Sequence, residues 1–227
     1  MGKKSKECER CDSIFNLNRI IKYLIYSDLI FYTGWGLISP IFAVFLLESS
    51  IQGTALVVGI SAAINLIFRS ALRVPFGISA DKSQKKAYWY MVIGLLIAAF
   101  VPLGYMFSTS PLHIYLLQII LGSFLAMSSA GWTAIFAKYM DKGKSSTEWG
   151  LDAVAVGVGP GIAAAAGGLA VTYFSFNTVF LVVTIVGLLG VAILFAVQKD
   201  ILKKDGKGSG QLFVQHELRR VKKARIA

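Results

Sequence analysis

Six long apolar segments separated by short polar stretches account for most of this chain. Each has the ~20 mostly apolar residues that a helix needs to cross the hydrocarbon core of a bilayer. Lipid offers the backbone no hydrogen-bond partner, so each segment is predicted to be an α-helix. The predicted spans, numbered 1 to 6 in chain order, are Tyr23–Leu47, Ala55–Phe76, Tyr88–Met106, Leu112–Ala137, Ala153–Phe174 and Val179–Val197.

The composition agrees with a membrane protein. Of the 227 residues, 56% are hydrophobic and only 15% are charged. A soluble domain of this size has too little interior to bury that much apolar surface. We therefore predict an all-α membrane protein whose first partner is the lipid bilayer.

The positive charges lie on one side of these spans. All 23 Lys and Arg residues fall in the N-terminal arm, the loops after spans 2 and 4, the tail, or the adjoining halves of spans. Cytoplasmic loops are enriched in these residues, so the protein is predicted to lie in the plasma (cytoplasmic) membrane with both termini on the cytoplasmic side. The net charge of +11 is then a signal of orientation and not of nucleic-acid binding. The predicted parts are a cytoplasmic arm (1–19), a six-helix domain (20–198) and a basic cytoplasmic tail (199–227).

Span 1 carries polar side chains on one face. Asp28, Tyr32, Trp35 and Ser39 recur at helical spacing. An acid inside a membrane helix costs ~2.5–3.5 kcal/mol on insertion scales, which makes Asp28 a candidate for ion or proton coupling. The alternative is a structural role as the partner of a nearby Arg. Gly34, Gly36 and Pro40 are expected to interrupt this helix, as in the broken helices of transporters.

Span 2 has a polar stripe formed by Ser61, Asn65, Arg69 and Arg73. Arg69 and Asp28 are expected at similar depth, and we predict an ion pair between them. Arg73 either belongs to this stripe or extends its side chain to the inner surface.

Span 4 has a similar polar face that includes Gln118, with Trp132 beside it. Trp132 is either a surface on which a substrate stacks or ordinary core packing. Spans 3 and 6 have almost no polar side chains and are expected to face lipid. The residues predicted to bind a solute are Tyr32, Trp35, Asn65, Gln118 and Trp132.

Span 5 is predicted to form a contact face. Gly157 and Gly161 form a G-x-x-x-G pattern with Pro160 between them. Small residues of this kind let another helix approach closely.

No candidate catalytic or cofactor site emerges from the residue pattern, so neither enzymatic activity nor a cofactor is expected. Glu148 and Asp152 are isolated and are interpreted as residues near the start of a helix. Cys8 and Cys11 are either two reduced thiols or half of a zinc site that a second copy would complete.

The loop between spans 2 and 3 carries the most specific motif of the chain. Its sequence, Gly77-Ile-Ser-Ala-Asp81-Lys82-Ser-Gln-Lys85-Lys86, resembles the major facilitator superfamily signature G-x-L-A-D-R-x-G-R-K. The segment with Gly34, Gly36 and Pro40 resembles the first helix of that family. The glycines around Pro160 resemble the motif in its fifth helix. Gln118 stands where the family's exporters often have an Arg that is implicated in proton coupling.

The resemblance implies a half-size member of the family. Members normally have twelve spans in two six-span halves, and each half is a 3+3 inverted repeat. A parallel homodimer with its two-fold axis normal to the membrane would supply the second half. The seam is expected at Gly157, Pro160, Gly161 and the Asp81 loop.

The function implied is secondary active transport of a small molecule or ion by alternating access. Asp28 and Arg69 would couple transport to a proton or ion, and the motif of Gly77, Asp81, Lys82, Lys85 and Lys86 would act in gating. The alternative is a non-transporting subunit or regulator that pairs with another half-size membrane protein.

Overall fold

The structure is a computed structural model that describes residues 17–48, 53–141 and 143–203. Span 1 consists of two helices and spans 2 to 6 have one main helix each. In order these are Arg19–Ile38 with Phe42–Glu48, Ala55–Ala80, Gln84–Met106, Pro111–Tyr139, Ser145–Tyr173 and Phe176–Phe195. Span 6 continues as a helical segment to Lys203, and all six are long and apolar enough to cross a membrane. The six-span, all-α prediction is confirmed.

Local sequence explains where several helices begin and end. The Asn18 side chain accepts a hydrogen bond from the Ile20 amide at 3.1 Å and caps span 1. Pro111 begins span 4, where its missing N–H leaves no helical hydrogen bond unmade. Span 1 breaks around Pro40, so that one helix ends at Ile38 and the next begins at Phe42.

Span 5 begins eight residues earlier than predicted, at Ser145 instead of Ala153. The predicted boundary followed the loss of apolar character, but helical hydrogen bonding continues through the polar turns. Glu148 in these turns is fully buried, and its carboxylate accepts from the Asp141 backbone N–H at 3.2 Å. Polar residues therefore belong to the bundle at this end of span 5.

The helices pack in a regular pattern. Span 1 packs mainly on spans 5 and 6, span 4 packs mainly on spans 2 and 3, and spans 3 and 6 pack on each other. Spans 3 and 4 approach closely at Gly94, where an added methyl group would lie 2.7 Å from the Ser128 Cβ. This crossing therefore requires a residue without a side chain.

Aromatic side chains hold the second helix of span 1 against the bundle. The Phe45 ring meets the Phe180 ring edge-on, with their centroids 4.8 Å apart, and it also contacts Tyr105 and Phe176. Edge-to-face pairs contribute ~0.5–1.5 kcal/mol beyond the area that they bury. The helix after Pro40 is thus fixed to spans 3 and 6.

Spans 3 and 6, which were expected to face lipid, pack against the bundle on one side and expose apolar side chains such as Phe100 and Ile185 on the other. Both pack against two other spans, whereas spans 2 and 5 expose most of their apolar side chains. A lack of polar groups suits contact with lipid and contact with an apolar helix equally well, so it does not distinguish them. Large exposed residues on spans 2 and 5 include Leu56, Leu66, Ile67, Val74, Val158, Ile162 and Leu169.

Candidate functional site

A cavity of about 570 Å³, called here the large cavity, lies between spans 1, 2, 4 and 5. Its volume is within the ~300–1,000 Å³ range of small-molecule sites. Most of its wall is apolar, and it includes Phe31, Phe42 and Leu121. Four of the five predicted solute-binding residues line it, together with Arg69: Tyr32, Trp35, Asn65 and Gln118.

Three polar side chains from different spans point to a binding role for the large cavity. Gln118 is 6% exposed, and its amide donates to the Tyr105 hydroxyl at 3.2 Å. The indole nitrogen of Trp35 and the amide nitrogen of Asn65 are buried without a hydrogen-bond partner. A few polar groups in an apolar wall are what orient a ligand in such sites.

A second cavity of about 180 Å³, called here the inner chamber, lies nearer the end of the bundle that carries the loop at residue 81. Its wall includes Asp28 from span 1, Arg73 from span 2, Trp132 from span 4 and Asp152 from span 5. Tyr32, Arg69 and Val156 border both cavities and separate them. The two spaces are therefore adjacent along the bundle.

The predicted ion pair between Asp28 and Arg69 is not formed. Within the described ranges, the ion pair found is Arg19–Asp200, at 3.7 Å on the surface. Spans 1 and 2 are consecutive in sequence, but their main helices pack against other spans. Arg69 instead interacts with the Tyr32 hydroxyl, which lies between the cavities.

Asp152 is a site residue that the sequence analysis missed. It lies two turns inside span 5, one of its carboxylate oxygens is buried without a hydrogen-bond partner, and the group interacts electrostatically with Asp28. The available signal was helical spacing, since Trp149, Asp152, Val156 and Pro160 share one face. This signal was hidden when the helix was predicted to begin at Ala153.

Trp132 lines the inner chamber and, unlike the other four predicted solute-binding residues, does not line the large cavity. Its ring stacks on Phe136, with centroids 4.4 Å apart, and meets Trp149 edge-on at 5.5 Å. Its indole nitrogen is buried without a hydrogen-bond partner. Trp132 thus packs in the core and also presents a polar atom beside the chamber.

The loop motif lies apart from both cavities. Asp81 follows the helix of span 2 and is exposed, as are Lys82, Lys85 and Lys86. A methyl group added at Gly77 would have no neighbour within 4 Å. Gln84 accepts a hydrogen bond from Lys138 Nζ at 2.6 Å and donates to the Tyr139 hydroxyl. Gln84, which stands where the signature has Gly, therefore joins the start of span 3 to the end of span 4.

The three residues predicted for a seam on span 5 do not share one surface. Gly157 and Gly161 are exposed, and a methyl group added at either residue would have no neighbour within 4 Å. Pro160 lines the large cavity and lies against Gly36 of span 1. The structure leaves the two glycines as a candidate contact face and places Pro160 in the cavity wall.

Several sequence-based expectations lie outside the described residues. They concern Cys8 and Cys11, most of the N-terminal arm, and the tail from residue 204 onward.

Comparison with known proteins identifies the family. The family model described as Major Facilitator Superfamily matches residues 25–225, which is most of the chain and covers spans 2 to 6 and all but the first residues of span 1. A search of curated proteins gave no match. The six-helix bundle, its cavity between spans 1, 2, 4 and 5, and this match lead to one conclusion: the chain belongs to the Major Facilitator Superfamily, a family of membrane transporters.

Proposed function

We propose that this chain is a six-helix half of a secondary active transporter that moves a small solute by alternating access. The observation that carries the proposal is the large cavity. Its mostly apolar wall contains Tyr32 and Trp35 from span 1, Asn65 from span 2 and Gln118 from span 4. Such a wall suits a solute that is partly apolar and is oriented by a few hydrogen bonds.

The barrier between the cavities supports alternating access. Tyr32 and Arg69 border both the large cavity and the inner chamber and interact with each other. Movement of these two side chains, on spans that pack against different neighbours, would join the cavities. A solute could then pass from one to the other without a continuous open channel.

The internal packing supports a 3+3 inverted repeat. Exchanging spans 1, 2 and 3 with spans 4, 5 and 6 leaves the main packing pattern unchanged. Gly94 of span 3 approaches Phe124 and Ser128 of span 4, just as Gly190 of span 6 approaches Ser27 and Phe31 of span 1. In these two contacts Ser27 corresponds to Phe124 and Phe31 corresponds to Ser128. Both corresponding pairs are the same number of positions apart in sequence, as a repeat requires.

A second copy in the same orientation would complete the transporter. Spans 2 and 5 expose the most apolar surface, and both line the large cavity. A parallel homodimer with both termini in the cytoplasm would cover these faces and enclose the cavity between two identical halves. The exposed Gly157 and Gly161 would allow close approach there.

Asp28 is the proposed coupling residue. It is 7% exposed, lies in the wall of the inner chamber, and has no ion-pair partner among the described residues. A buried acid without a fixed cationic partner can gain and lose a proton as its surroundings change.

Transport by purified protein in liposomes tests the proposal. Uptake of a panel of labelled solutes should be saturable, and Trp35→Phe should reduce it, whereas Trp89→Phe at the bundle end should not. Asp28→Asn should abolish uptake driven by a proton gradient, with Asp200→Asn as the exposed control. Gradient-driven uptake that survives Asp28→Asn would remove this residue from the mechanism.

The alternative is a non-transporting subunit that pairs with a different half-size protein. The same exposed faces of spans 2 and 5 would serve that partner. A chain that stays monomeric in bilayers and moves no solute of the panel would favour this alternative.

A further inference from the structure

Groups of both charge signs meet in the inner chamber. Asp28 and Asp152 reach it from spans 1 and 5, and Arg69 and Arg73 reach it from span 2. Ionisable groups at membrane depth are costly and mark substrate or ion pathways. The chamber of about 180 Å³ corresponds to ~6 water molecules at ~30 Å³ each, which is the size of a small organic solute.

Two buried polar atoms in the chamber wall have no hydrogen-bond partner. One is the indole nitrogen of Trp132, a donor on a side chain that is only 8% exposed. The other is the Oδ1 atom of Asp152, an acceptor. An unpaired buried polar group is destabilising, so a ligand that accepts from Trp132 and donates to Asp152 would relieve both costs.

Aromatic rings complete the wall. Trp149 and Trp132 line the chamber and pack edge-on, with ring centroids 5.5 Å apart. Indole rings attract ammonium groups and also pack against aliphatic side chains.

We infer that the inner chamber binds a small zwitterion of the aliphatic α-amino acid type. Its ammonium group would interact with Asp28 and Asp152, and its carboxylate would accept hydrogen bonds from Trp132 and the arginines. A solute with one charge would pair with the groups of one sign only, whereas a zwitterion pairs with both the acids and the arginines. The inference rests on the proposed transport function and names the class of its solute.

Equilibrium binding of tritiated leucine to the purified full chain tests the inference. Two competitors share the carbon skeleton of leucine but keep one charge each: leucinamide keeps the ammonium and 4-methylpentanoate keeps the carboxylate. Leucine binding should be saturable, and both competitors should be at least tenfold weaker than unlabelled leucine. Asp152→Asn and Trp132→Phe should each weaken leucine binding tenfold or more, while the surface variant Asp200→Asn should not.

Several outcomes would overturn the inference: no saturable leucine binding, either competitor matching leucine, or unchanged affinity in both folded chamber variants. Thermal unfolding identifies any variant that fails to fold, and the second variant then decides. Solute counterflow in liposomes separates this result from the proposed function. Flux of another panel solute without leucine binding would refute the inference and leave the proposed transport function standing. Leucine binding without any flux would support the inference and count against the proposed function.

Discussion

At the scale of single residues, close helix contacts depend on side chains that are absent. Gly94 allows span 3 to touch the backbone of span 4 at Phe124 and Ser128. Gly59 on span 2 is also a glycine within a helix, but nothing lies within 4 Å of the position of a methyl group added there. Comparing Gly94 with Gly59 therefore separates the effect of helix packing from the low helix propensity of glycine.

We expect Gly94→Ala to lower the free energy of unfolding by ~1–3 kcal/mol, because the new methyl group forces two packed helices apart. Gly59→Ala should have no destabilising effect, since alanine favours a helix by up to ~1 kcal/mol. Thermal unfolding of both variants in the same detergent measures the difference. Equal destabilisation by the two substitutions would contradict the packing at Gly94.

At the scale of helices, the two sides of span 5 have different partners. Gly167 lies against the Leu37 carbonyl of span 1, and Gly161 faces open space. The first glycine belongs to the fold of one chain. The second is available to another chain.

Gly161→Val should weaken association between copies by about tenfold or more, ~1.4 kcal/mol, without changing the unfolding temperature. Energy transfer between labelled copies in liposomes, measured over a range of protein-to-lipid ratios, reports the association. Ala192→Val on the exposed side of span 6 is the matched control, and Gly167→Val should lower stability instead. Association that Gly161→Val leaves unchanged would exclude this face as the seam.

At the scale of the whole molecule, the orientation in the membrane can be tested at two exposed positions. Thr109 lies between spans 3 and 4, and Ser146 lies at the start of span 5. The distribution of Lys and Arg predicts that the first faces outward and the second faces the cytoplasm.

In a Cys8→Ser/Cys11→Ser background, an impermeant maleimide added to intact cells should label Thr109→Cys. It should label Ser146→Cys only after the cells are permeabilised. Gel-shift detection of the labelled chain distinguishes the two variants. The reverse pattern would invert the protein and place both termini outside.

Hydropathy was enough to predict six helices and their order, and helical spacing was enough to pick out four polar residues of the large cavity. These are local properties, because a lipid-exposed backbone must form its own hydrogen bonds wherever about twenty apolar residues follow one another. Polar residues at helical spacing also share a face whatever the neighbouring helix is. Tyr32, Trp35, Asn65 and Gln118 accordingly line one cavity, and their role in binding a solute stays a prediction.

The choice of neighbours for each helix required the three-dimensional structure. Apolar helices have no hydrophobic preference between lipid and one another, so hydropathy could not show that spans 3 and 6 lie in the packed bundle while spans 2 and 5 are exposed. The same choice left Asp28 without an ion pair to Arg69 and placed it in the wall of one chamber with Asp152, 124 positions away in sequence. Complementary surfaces select these pairings, and one-dimensional periodicity carries no information about the partner surface.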